Sequence, residues 1–355
     1  MQTRTPVNSP AQRRAFRQDA QRRGQMAAVR TIAAASLLRA GAGYLLPRTG
    51  AAGWWLLLVC ILPALLVYFT GWLALRRTGA ATLRDAVQRL LGAWTVRLLG
   101  WAEAICLAAE GAACLTMLVT LLDEGVGIAV SPVVLAAFTA AGLAWCIPGD
   151  GLARSVQLLR WAVLPLFVLI LANLLPLAKV DHLFPVMGRG AAQSAYAAMP
   201  CLSAGWPLLL LLEIPPAETG RCTRGWCSAM LLPPLLLAVT LAIPHEILIL
   251  HTGLAAALML PGSFLSPLNR TLLMCLWMLL AALCTVLCAK GAATAAVHRA
   301  APGAFLLLAG FAALQLLGAE AAVHLLRQAQ TWLPLGLAVM VTLTAGASFI
   351  KRRKR

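Results

Sequence analysis

Ten apolar stretches alternate with short polar loops along this chain, and the loops divide by charge. The stretches are 26–46, 53–75, 95–121, 130–147, 156–178, 195–215, 226–249, 271–297, 303–318 and 331–350. With both ends on the cytoplasmic side, 23 of the 29 Lys and Arg residues fall on that side. The other six are Arg39, Arg48, Lys179, Arg189, Arg270 and Arg327. Short loops rich in Lys and Arg resist translocation, so this bias predicts an even number of spans and two cytoplasmic termini.

The sequence therefore predicts an all-α polytopic membrane protein. At roughly 20 residues per span, a chain of 355 residues can cross a bilayer about ten times and keep little outside it. Only 12% of residues are charged, where a soluble domain carries about 25%. The net charge of +17 does not predict nucleic-acid binding, because the basic residues flank spans instead of forming one patch with aromatic residues. Three regions follow: a basic, flexible cytosolic tail over 1–25, a transmembrane domain over 26–350, and a basic cytosolic end over 351–355.

Most of the ten cysteines fall inside apolar spans, and none lies in a predicted outer loop, so a disulfide framework is not expected. Cys284 and Cys288 share a helix face without a His or further Cys to complete a metal set. No metal or other cofactor is expected. No nucleotide loop and no Ser/His/Asp arrangement is present, and Glu103 and Glu110 stand two helical turns apart, so an enzyme is not expected either. Between spans two and three, Leu83–Trp94 is amphipathic and fits a helix lying at the cytoplasmic surface, with Arg84, Asp85, Gln88 and Arg89 on its polar face.

Two spans carry the means to break. Span one reads Leu37-Leu38-Arg39-Ala40-Gly41-Ala42-Gly43-Tyr44-Leu45-Leu46-Pro47, a small-residue step beside a charge. Span six reads Pro200-Cys201-Leu202-Ser203-Ala204-Gly205-Trp206-Pro207, and Pro207 lacks the N–H that would continue the helix. Irregular backbone at membrane depth is tolerated only where protein or a water-filled cavity surrounds it. Transporters built from inverted repeats place such breaks at matching positions in each half, with the half-helix ends facing a midplane ligand. Spans one and six of ten match in that way. The alternative is that Gly41, Gly43 and Gly205 merely allow helices to approach closely.

Arg39, Glu103, Glu110 and Glu213 are charged residues within predicted spans, where ionised groups need partners. Arg39 and Glu110 are expected to pair beside the span-one break, either to hold helices together or to contact a ligand. Glu213, near the end of span six, is expected to reach interfacial water. Trp206 lies inside the second break, where stacking on a ligand competes with ordinary packing. The candidate ligand-binding set is Arg39, Gly41, Ala42, Gly43, Glu110, Leu202, Ser203, Gly205 and Trp206.

These motifs resemble the spore germination permeases, the multispanning subunits of nutrient germinant receptors within the amino acid–polyamine–organocation transporter superfamily. The likeness lies in Gly41-Ala-Gly-Tyr-Leu-Leu-Pro47 closing span one, in Asp181-His-Leu-Phe-Pro-Val-Met-Gly-Arg-Gly190 before span six, and in Ser203-Ala-Gly-Trp206 followed by an apolar run to Pro215-Pro216. Pro207 departs from the acidic residue that commonly follows the Gly-aromatic step in that family. The resemblance implies ten helices in a five-plus-five inverted repeat, with helices one and six broken. It also implies a multi-pass protein of a bacterial spore inner membrane or cell membrane, which binds a small nutrient such as an amino acid. Its partners would be membrane lipid, a second membrane subunit and a lipoprotein.

Overall fold

The computed structural model describes residues 10–41, 45–49, 52–126, 190–214, 281–288 and 320–353, with isolated positions at 165, 168, 275, 278, 279 and 291. Among the described residues every regular element is helical. Helix α1 spans Pro10–Ala40, α2 Leu46–Thr49, α3 Gly53–Thr78, α4 Leu83–Leu91, α5 Ala93–Val126, α6 Ala191–Ala198 and α7 Glu320–Arg353. Two 3-10 segments, Met199–Ser203 and Trp206–Glu213, continue α6.

Four segments are long and apolar enough to cross a membrane: Trp55–Thr78, Ala93–Leu115, Ala191–Glu213 and Thr331–Ile350. They coincide with the predicted spans two, three, six and ten. Spans four, five, seven and nine lie outside the described residues, apart from positions 165 and 168 of span five. Span eight is described mainly over 281–288, which is helical.

The basic N-terminal stretch differs from the flexible tail expected over 1–25. Helix α1 begins at Pro10 and runs without interruption into span one. The first residues explain this locally. Proline at a helix start loses only a donor that would be unsatisfied anyway, and the Ala, Gln and Arg residues that follow are good helix formers.

Span one then ends as a helix. Regular α-helix stops at Ala40, Gly41 and Leu45 adopt wider turns, and α2 resumes at Leu46. Ala42 and Gly43 fall outside the described residues.

Span six breaks in a different way. Its α-helix stops at Ala198, and the chain tightens into 3-10 geometry with i to i+3 bonds: Ala204 N–H to Cys201 O at 2.9 Å and Leu208 N–H to Gly205 O at 3.1 Å. Pro200 and Pro207 sit in the first turns of the two tight segments, where their missing N–H groups do least harm. Eight residues of 3-10 helix is long for a form that usually runs three or four, and it rises about 2.0 Å per residue against about 1.5 Å for an α-helix. The span is therefore stretched as well as interrupted.

The buried core gathers where these breaks meet α3. Leu37, Ala40 and Leu45 of span one pack with Leu57, Cys60, Ile61 and Ala64 of α3 and with Ala198, Cys201, Ala204 and Leu208 of span six. Helix α7 lies against both α3 and α5 and reaches the first 3-10 segment. The outer faces of α3 and α7 expose Leu62, Leu66, Phe69, Val339, Leu343 and Ile350, as lipid-facing surface should.

Glycines set two of the closest approaches. A Cβ on Gly71 would stand 2.5 Å from Leu212 Cδ1 and 2.8 Å from Val341 Cγ1, so this glycine lets α3, α7 and the second 3-10 segment converge. A Cβ on Gly205 would stand 2.7 Å from Ala64 Cβ. The Gly205 backbone has φ −81°, which any residue adopts, so its need for glycine is steric. Of the two roles considered for Gly205, close packing against α3 is the one its surroundings supply.

A direct test follows from that contact. Gly205→Ala should lower the thermal midpoint and membrane abundance, with overpacking costing about 1–3 kcal/mol. Adding Ala64→Gly should restore much of the loss by removing the opposing methyl group. A double variant no better than Gly205→Ala would show that the damage arises elsewhere.

Candidate functional site

Arg39 occupies the last turn of α1, one residue before regular helix ends. Its guanidinium grips Glu110 of α5 with two prongs, Nη2 to Oε2 at 2.7 Å and Nε to Oε1 at 3.3 Å. The Glu110 side chain is only 3% exposed, while that of Arg39 is 24% exposed. Such a fork-to-carboxylate bond is charge-assisted and directional, so it fixes the end of span one against span three. The pairing expected from the sequence is therefore formed.

Thiols crowd this pair. Cys114 stands one turn beyond Glu110 on α5, and Cys284 of span eight also lies close to Arg39. Cys284 Sγ is 3.8 Å from Cys288 Sγ, and all three cysteines are fully buried. Span eight is held to α5 by Thr285, whose hydroxyl donates to Ala281 O at 2.9 Å and lies 3.4 Å from Gly111 O. Among the described residues no group of His, Cys, Asp and Glu is arranged to hold a metal ion.

The two breaks touch. Cys201, in the tight part of span six, places its thiol 4.0 Å from the carbonyl of Ala40. Cys60 of α3 donates to the carbonyl of Ala198 at 3.6 Å, at the point where α-helix yields to 3-10 helix. Thiols are weak donors, so these contacts only supplement the backbone hydrogen bonding of the two junctions. A carbonyl oxygen carries two lone pairs, so one that meets a weak thiol donor can still accept from a polar solute.

The remaining candidates divide. Gly41 is buried at the end of α1. Leu202 is half-buried against the shared core, and Trp206 is 5% exposed. The Ser203 hydroxyl donates to Pro200 O at 3.1 Å, which closes its own turn. Gly205 faces Ala64, as described above.

Arg84 was expected on a water-facing surface. Helix α4 does form, capped by Thr82, whose hydroxyl accepts from Asp85 N–H at 3.2 Å, and ended by Gly92 at φ +96°. Yet Arg84 turns inward, with Nη2 at 2.5 Å from Glu103 Oε2 of α5 and Nε at 3.6 Å from Glu213 Oε2 of span six. Burial disfavours the Arg84 charge, but the Glu103 carboxylate more than offsets this and holds the guanidinium above its ordinary pKa. Glu213, expected in interfacial water, has 19% of its side chain exposed and faces Arg84. Glu213 has no basic residue in its own span, so a cation from another element was to be expected, though nothing in the sequence singled out Arg84.

Among known proteins, no family model matches the chain and no curated protein does.

Proposed function

We propose that the chain is the permease-like membrane subunit of a nutrient germinant receptor in a bacterial spore. In this reading it has ten spans in two inverted halves, sits in the inner membrane with both termini cytoplasmic, and signals through a second membrane subunit and a lipoprotein. It takes a small zwitterionic nutrient, such as an amino acid, between the broken parts of spans one and six.

The observation that carries the ligand site is the meeting of the two breaks, with Cys201 against the Ala40 carbonyl one residue from Arg39. Carbonyls at a helix end attract an ammonium group, and a forked guanidinium attracts a carboxylate. Both chemistries stand within one stretch of α1, backed by Glu110. The receptor assignment rests on the short motifs that close span one, precede span six over Asp181–Gly190 and run through span six.

A secondary amino-acid transporter would use the same arrangement, so the test must separate sensing from transport. Binding of radiolabelled L-amino acids to the purified protein in nanodiscs should be saturable for at least one of them. Proteoliposomes should then show no uptake of that amino acid, and spores lacking the gene should fail to germinate in it. Uptake into proteoliposomes would assign the chain to transport. No saturable binding across the panel would remove the ligand site and assign the chain to a structural membrane subunit without a ligand.

A further inference from the structure

Helix α3 ends in two arginines that its own backbone does not need. The Leu75 carbonyl accepts from Gly79 N–H and from Ala80 N–H at 3.3 Å, with Gly79 in the left-handed region at φ +61°. The next exposed carbonyls, of Thr78 and Gly79, accept from Arg89 Nη1 at 3.2 Å and 3.4 Å. These three carbonyls therefore have donors other than the Arg76 and Arg77 side chains. Neither arginine forms an ion pair among the described residues.

Both are nonetheless held in place by rings. Arg76 Cζ lies 4.8 Å from the Trp72 ring centroid, and Arg77 Cζ lies 3.3 Å from that of Phe349 on α7. The second contact sets the end of α3 beside the end of α7, whose last turn carries Lys351, Arg352 and Arg353. Immediately below the cations the surface is apolar and open. Phe69 is 58% exposed and Ile350 64%. Phe69, Trp72 and Arg76 follow one face of α3 at helical spacing.

We propose that the arginine-bearing ends of α3 and α7 seat an anionic phospholipid. Its phosphate lies at Arg76 and Arg77, beside the end of α7, and its acyl chains lie along the exposed faces of the two helices. Cations stacked over aromatic rings keep their positions without a carboxylate partner, so their charge is available to a phosphate. A soluble anion would use the cations and leave the apolar strip bare. A neutral lipid would do the reverse. Only a lipid with an anionic headgroup matches both halves.

The full-length protein in neutral detergent, titrated with phosphatidylglycerol or with phosphatidylcholine of the same acyl chains, tests this by native mass spectrometry and thermal midpoint. Phosphatidylglycerol should bind and raise the midpoint, and phosphatidylcholine should do neither. Losing one arginine should weaken binding about fivefold, and Arg76→Gln with Arg77→Gln about thirtyfold. Arg13→Gln with Arg14→Gln, at the start of α1, should leave binding within about twofold. Equal loss in both pairs, or retained binding in the Arg76/Arg77 pair, would overturn the proposal. If that pair does not fold, the wild-type protein decides, because an equal midpoint shift from phosphatidylcholine or inorganic phosphate also overturns it.

Discussion

Replacing Arg39 with leucine is expected to cut membrane abundance sharply, and Glu110→Gln is expected to do the same. Each change strands the opposite member of a two-pronged pair, and Glu110 has almost no solvent to fall back on. Leaving one charge of a buried pair without its partner costs roughly 3–5 kcal/mol, while replacing both by neutral groups is often close to neutral. A domain with total stability of about 5–15 kcal/mol feels the first loss and tolerates the second. The Arg39→Leu/Glu110→Gln double variant should therefore recover most of the wild-type abundance, read by immunoblot of the membrane fraction and by thermal midpoint in detergent.

Function separates from stability in the same set. If the pair only clamps span one to span three, the recovered double variant should also recover nutrient binding. If the guanidinium or the carboxylate touches the nutrient, binding should stay lost while abundance returns. The second pattern is expected, because Arg39 adjoins the carbonyl that meets span six. Additive damage to abundance in the double variant would show that the two side chains are not energetically coupled.

What the sequence made legible follows from how local each signal is. Apolar length alone placed spans two, three, six and ten, and Pro207 with Pro200 marked where span six would leave α-helical geometry. The Arg39–Glu110 pair could be read because a charge at that depth has few possible partners. The inward turn of Arg84 could not. Helical periodicity set it among polar neighbours on α4, and only the packing of α4 on α5 shows that this edge meets Glu103. The two roles open to Gly205 could not be separated in the sequence for a related reason. The sequence showed a missing side chain but not its neighbour, which is Ala64, more than a hundred residues away along the chain. Cys201 and Cys114 carried no signal of their own in the sequence, because what a buried thiol meets depends on what the fold places beside it.

Arg84 sets up the second large effect, because it serves two carboxylates at once. Arg84→Leu leaves Glu103 buried with no cation and leaves Glu213 beside it, both acids then repelling each other. The Arg84 side chain is 33% exposed, so water reaches this cluster more easily than it reaches Glu110. The expected loss is accordingly smaller than for Arg39, roughly 1–3 kcal/mol. Second-site changes then rank the two acids. The Nη2 contact to Glu103 is short, whereas the approach to Glu213 is 3.6 Å and leaves Glu213 Oε1 without a hydrogen-bond partner among the described residues. Glu103→Gln should therefore rescue Arg84→Leu more fully than Glu213→Gln does. In the wild-type background the order inverts: Glu103→Gln should reduce the thermal midpoint, and Glu213→Gln should leave it unchanged or raise it by removing the excess negative charge. Better rescue by Glu213→Gln would mean that Arg84 chiefly anchors the tight half of span six. In that case α4 would be tied to the broken helix more firmly than to α5.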